Sequence, residues 1–222
     1  MPDEEKWWRR IDSQGSQHPY CLDFTDRCFY YRDYIPRGGY KRSETNQLVY
    51  NLKISAESIR ENPNRKPYKK EAINRFADEC SFFFDNLFSQ IGELKTLLIP
   101  VPPSSTKTDP SFDDRLLQVA ALLSKRYSSL IVSEALVAKE TLQPSHLGGS
   151  RSIEAIRSML QFQECSSFEP ELIVVFDDVI TSGAHYSACK DILSKRYPTV
   201  DIIGLFWAKS KPDVEYYLVS EI

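Results

Sequence analysis

The apolar positions of this chain follow one period up to about residue 91 and a different arrangement after it. Between residues 69 and 91, Ile73, Phe76, Ala77, Cys80, Phe83, Phe84, Leu87, Phe88 and Ile91 recur at three- and four-residue spacing. That is the period of an α-helix with one apolar face, and Gly92 predicts its end. Beyond it, short apolar runs alternate with amphipathic stretches. Residues 96–101, 130–138, 172–176 and 201–208 read as strands, and 112–127, 153–162 and 184–197 as helices. Residues 214–219 read as an edge strand. Strand and helix in alternation predict an α/β fold: a twisted parallel sheet with helices on both faces and right-handed crossovers.

The first 68 residues read as an extension of unknown role ahead of an α/β domain at 69–222. The first twenty are polar and aromatic without a period, and Trp7 and Trp8 are expected to pack on the core, with a partner surface as the alternative. The aromatics Phe24, Phe29, Tyr30, Tyr31 and Tyr34 suggest a strand, and Pro36-Arg37-Gly38-Gly39 a turn. Leu48-Val49-Tyr50-Asn51-Leu52 reads as a second strand, which makes a hairpin. Two prolines and several charges predict a loop at 59–67.

The chemistry concentrates in Ile173-Val174-Val175-Phe176-Asp177-Asp178-Val179-Ile180-Thr181-Ser182-Gly183-Ala184-His185. Two carboxylates end an apolar strand, and a small polar loop leads into a helix. Open α/β sheets bind ligands outside the carboxyl ends of their strands. Thr181, Ser182, Gly183, Ala184 and His185 offer hydroxyls and backbone amides at a helix N-terminus, which suits a phosphate. Gly183 is expected to let the phosphate approach the main chain. Asp177 and Asp178 are placed to accept sugar hydroxyls or to hold a hydrated Mg²⁺. A site on the sheet rim predicts that Asp178→Asn spares the fold. The plain alternative is a strand–turn–helix unit with an acidic turn.

Two more segments should border that crevice. The turn Pro102-Pro103-Ser104-Ser105-Thr106-Lys107 follows the strand at 96–101 and offers amides, hydroxyls and one cation for a second anionic group. The stretch from Val137 to Arg151 holds Lys139, His146 and Arg151 among loop formers, and reads as a loop able to cover a ligand.

The 173–185 string resembles the PRPP (phosphoribosyl pyrophosphate) motif of type I phosphoribosyltransferases. With Ile99-Pro100-Val101-Pro102 and Lys139-Glu140-Thr141-Leu142-Gln143 followed by Arg151, the order and spacing resemble the ComF-like branch over residues 96–210. The resemblance implies an enzyme that moves ribose 5-phosphate between pyrophosphate and a nitrogenous base, with Mg²⁺ as cofactor. It implies that Asp177 and Asp178 hold the ribose hydroxyls and that 181–185 hold the 5′-phosphate. Residues 103–107 would take pyrophosphate, with Lys107 and Mg²⁺ neutralising it. The loop with Lys139, His146 and Arg151 would be the catalytic hood. His185 stands where the family usually has Thr or Ser, and the 103–107 turn lacks the glycine run of many relatives.

Composition narrows the setting. A formal charge of −3 gives no overall bias toward nucleic acid. The basic cluster Arg60, Arg65, Lys66, Lys69 and Lys70 alone supports a nucleic-acid partner. No apolar run nears the ~20 residues that span a membrane, and the N-terminus lacks a signal-like centre, so the cytosol is the expected compartment. Five scattered cysteines predict neither a disulfide framework nor a zinc site. The expected partners are PRPP and a nucleobase or nucleotide, with a homodimer left open. A PRPP sensor without transfer activity, a protein working beside DNA, and a glycohydrolase stand as alternatives. Phe206, Trp207 and Lys209 read as core residues or as part of a base pocket.

Overall fold

The computed structural model describes residues 7–12, 19–140, 152–164 and 168–211. In chain order the strands are β1 (Arg9–Arg10), β2 (Arg27–Tyr34), β3 (Thr96–Pro100), β4 (Leu130–Val132), β5 (Leu136–Ala138), β6 (Leu160–Phe162), β7 (Leu172–Ile180) and β8 (Asp201–Ser210). The helices are α1 (Glu44–Leu52), α2 (Ala56–Glu61), α3 (Lys66–Ile91), α4 (Arg115–Arg126), α5 (Ile153–Met159) and α6 (Ala184–Arg196), with a short 3₁₀ turn at Pro63–Arg65. Six strands form one sheet in the order β1-β2-β8-β7-β3-β4. Every pairing in it is parallel except β1 with β2. The predicted α/β architecture is therefore present. No helix among the described residues is long and apolar enough to cross a membrane.

Strand alternation sends successive side chains to opposite faces. Leu98, Val174, Phe176, Leu205 and Trp207 meet α1, α3 and α4 in one buried cluster. Leu97, Ile99, Ile173, Val175 and Phe206 meet α6 in another. Helices thus cover both faces. The long helix α3 follows the predicted period and ends at Gly92, whose φ of 79° is the left-handed value glycine accepts readily.

Several sequence expectations are corrected. Residues 48–52 are helix, not strand. Ser43 caps α1 by accepting the Asn46 amide, and Thr45, Leu48, Val49 and Leu52 form its buried stripe. No hairpin forms; β2 pairs instead with β8. The predicted loop at 59–67 is largely helical, because Ser55 caps α2 and Pro67 sits at the start of α3, where a missing N–H costs nothing. The 130–138 strand divides at Ser133, whose amide donates to Leu98 O at 3.0 Å. Its second half leaves the sheet to pair with β6, which takes the last residues of the predicted 153–162 helix. Trp8 packs against Phe83 and donates its indole N–H to Glu79 O at 2.8 Å, whereas Trp7 is 70 % exposed. The predicted edge strand at 214–219 lies outside the described residues.

Candidate functional site

The topology reverses at β3. From β3 the chain passes through α4 to β4 on one side, and the next strand of the sheet, β7, lies on the other. Such a switch point opens a crevice at the carboxyl ends of the two strands. β3 stops at Pro100, opposite Phe176, while β7 runs on to Ile180 beside β8. Asp177 and Asp178 therefore lie within a strand rather than after it, on the stretch that outruns β3. A cleft of about 380 Å³ opens there.

Alternation separates the two acids. Asp178 enters the layer of α1 and α4 and is only 3 % exposed. Its Oδ2 accepts from Arg115 Nε at 2.9 Å and lies 2.8 Å from Nη2, and its Oδ1 faces Lys53 Nζ at 3.1 Å. Burial works to raise this carboxyl, but Lys53 and Arg115 outweigh it and hold it below the ordinary carboxylate value. Asp177 turns toward α6, where its charge adds to burial in raising the Cys189 thiol. Its Oδ1 accepts the Asp178 amide at 2.7 Å. Burial, and then the charge of Asp178, push the Asp177 carboxyl well above its ordinary value.

Arg115 and Lys53 carried no motif. Arg115 opens α4, where Asp113 accepts its backbone N–H and its Nη1. Asp113 in turn accepts Lys69 Nζ at 2.8 Å, and the same ammonium donates to Ile54 O. Lys53 is the C-terminal cap of α1. A chain of charge, Lys69–Asp113–Arg115–Asp178–Lys53, thus joins three helices along the cleft wall. Tyr34, at the end of β2, also lines it.

The predicted residues divide as follows. Asp177, Asp178, Pro103, Ser104, Ser105, Thr106, Lys107, Thr181 and His185 all line the cleft. Lys107 is paired there with Glu134 at 2.5 Å. Gly183 turns elsewhere. Its φ is 84°, and a Cβ added to it would come within 2.7 Å of Leu22 Cδ2. The glycine accommodates Leu22 as well as its own backbone. Cys21 N donates to Ser182 O at 2.9 Å, and Ser187 Oγ donates to Cys21 O. Ser182 is thereby tied to the N-terminal segment, and Ser182, Gly183 and Ala184 are not among the residues that line the cleft.

Lys139 also lies off the cleft, donating to Ser158 O at 2.6 Å near the end of α5. His146 and Arg151 lie outside the described residues. Phe206 and Trp207 are core, the latter stacked on Phe76 at 4.7 Å and bonded to Glu79. Lys209 is likewise buried, beside the Tyr30 ring. Of the basic cluster, Arg60, Arg65, Lys66 and Lys70 are exposed, but Lys69 is buried in the charge chain.

The donor set can be tested for Mg²⁺. Asp178 is committed to two cations, and no group of three or more His, Cys, Asp or Glu side chains among the described residues is arranged to hold a metal. Asp177 supplies one carboxylate. Mg²⁺ is commonly held by one or two carboxylates with water and substrate phosphate oxygens. The residues therefore fit an ion that enters with a phosphorylated substrate. No protein-family model matches the chain, and no curated protein matches it either.

Proposed function

We propose that the chain is a cytosolic phosphoribosyltransferase-like enzyme, binding PRPP with Mg²⁺ and exchanging pyrophosphate for a nitrogenous base. The supporting observation is the switch-point cleft. It gathers the acid pair of β7, the turn after β3, Thr181, and His185 of α6 around one cavity. Those are the parts a phosphorylated sugar with a second anionic group requires. Mg²⁺, when bound, neutralises charge on the departing diphosphate.

In the proposed step, the bond from ribose C1 to pyrophosphate breaks and its electron pair leaves with pyrophosphate. A base nitrogen forms the new C1–N bond, and its proton passes to solvent. Asp177 accepts the ribose hydroxyls and favours positive charge on the sugar. His185 and Thr181 face the 5′-phosphate. The side chains of 103–107 border the leaving group. Positioning and electrostatics carry the step without a proton-abstracting base.

The test is incubation with PRPP, Mg²⁺ and a panel of purines, pyrimidines and nucleotides, read by mass spectrometry. Pyrophosphate and a new glycoside should appear in equal amounts, and Asp177→Asn should lower the rate on the order of 10²–10³-fold. Failure to bind PRPP would refute the proposal. A second reading, PRPP binding without transfer, is favoured by Lys139 pointing away from the cleft and Lys107 being paired with Glu134. PRPP binding with no pyrophosphate release would select it.

A further inference from the structure

Lys53 and Arg115 stand on the cleft wall with no part in that reading. Asp178 holds both. Arg115 takes Oδ2 and Lys53 takes Oδ1, so two cationic centres sit side by side on one carboxylate. Arg115 already gives Asp178 contacts at 2.8 and 2.9 Å, which is a full counter-charge in good geometry. The hydrogen-bonded chain from Lys69 to Lys53 carries three cations and two carboxylates, and Asp177 beside it is a third acid on which Lys53 and Arg115 act. Lys53 closes that chain at the cleft, where its side chain is 44 % exposed. Lys107, by contrast, is paired with Glu134.

We infer that Lys53 and Arg115 form the cleft's receiving site for a diphosphate, with Asp178 a positioning residue that holds the two cations and does not touch the ligand. Two adjacent centres suit two linked phosphates, whereas a single phosphate engages one. Lysine supplies a compact charge with three donors, and arginine a fixed fork held by Asp178 and Asp113. The inference rests on this cleft being the ligand site but not on transfer chemistry. It moves the diphosphate from the 103–107 turn toward α1 and α4.

Calorimetric titration of the full chain with inorganic pyrophosphate, and separately with ribose 5-phosphate, tests it. Lys53→Met should weaken pyrophosphate about tenfold, the loss of one hydrogen bond to a charged group, and ribose 5-phosphate by less than twofold. Lys53→Arg should restore most of the pyrophosphate affinity. Asp178→Asn, measured below its unfolding temperature, should show the same selective loss. If that variant does not fold, the Lys53 pair decides. Equal weakening of both ligands by Lys53→Met, no change in either, or no pyrophosphate binding by the parent would overturn the inference. So would a larger pyrophosphate loss in Lys107→Met than in Lys53→Met. Pyrophosphate binding without PRPP turnover would leave the inference standing and remove only the transferase reading.

Discussion

Replacing Asp178 with Asn changes one atom's identity and removes one charge, yet the structure predicts a large loss of stability. The carboxylate is buried and has two cationic partners, one of them the largely buried Arg115. Breaking a buried pair by removing one partner costs about 3–5 kcal/mol, because the other charge stays buried. Two features place the cost near the lower end. Arg115 keeps Asp113 at 2.9 Å, and Lys53 is exposed enough for water to solvate it. A loss of about 3 kcal/mol corresponds to a fall in Tm of about 6–12 °C for a chain of this size. Thermal and urea unfolding at pH 7, followed by circular dichroism, would measure it. Asp178 is held below its ordinary pKa, so its stabilisation is present above the unfolded-state value and is lost as pH falls through the folded-state value. The gap between parent and variant should therefore narrow in acid. Adding Arg115→Met to Asp178→Asn should cost less than the two losses summed. An Asp178→Asn protein melting within about 2 °C of the parent, a loss of about 1 kcal/mol or less, would refute the reasoning, and would restore the rim-site expectation that this position spares the fold.

Two further outcomes follow from the same wall. Asp177 is raised above its ordinary pKa, so the stability it contributes is full at low pH and disappears as pH rises through its folded-state value; Asp177→Asn should therefore raise Tm by an increment that grows between pH 4 and pH 9 in Mg²⁺-free buffer, and a constant increment would contradict the assignment. Gly183→Ala should destabilise by about 1–3 kcal/mol, since it combines a left-handed φ with a Cβ against Leu22, and Leu22→Ala in the same chain should recover the steric part but not the backbone part, as urea unfolding would show.

The elements with strong periodicity were legible. The stripe from Ile73 to Phe88 marks one face of α3, and the run from Ile173 to Phe176 has nowhere to go but the middle of a sheet. The segment at 48–52 misled because five residues with Leu, Val and Tyr fit either period. The deciding signal was upstream, in Ser43 with Asn46 three residues later and Glu44 in the first turn. At the site, the acid pair and the turn after β3 were readable because each directly follows an apolar run in sequence, although β7 itself runs on past the acids to Ile180. Arg115 and Lys53 were not, since each reaches Asp178 only after the helices have packed. Likewise, the packing of Gly183 against Leu22, distant in sequence, appears only once the chain has folded.

The pairing of β2 with β8 has a consequence for how the chain is made. Residues 27–34 leave the ribosome well before their parallel neighbour, 201–210. At about 5–20 residues per second, the first strand waits on the order of ten seconds or more for its mate. Through that interval its ladder groups face solvent or a chaperone. A message cut short before β8 would yield a polypeptide with open edges on both β2 and β7, with aggregation or proteolysis as its fate.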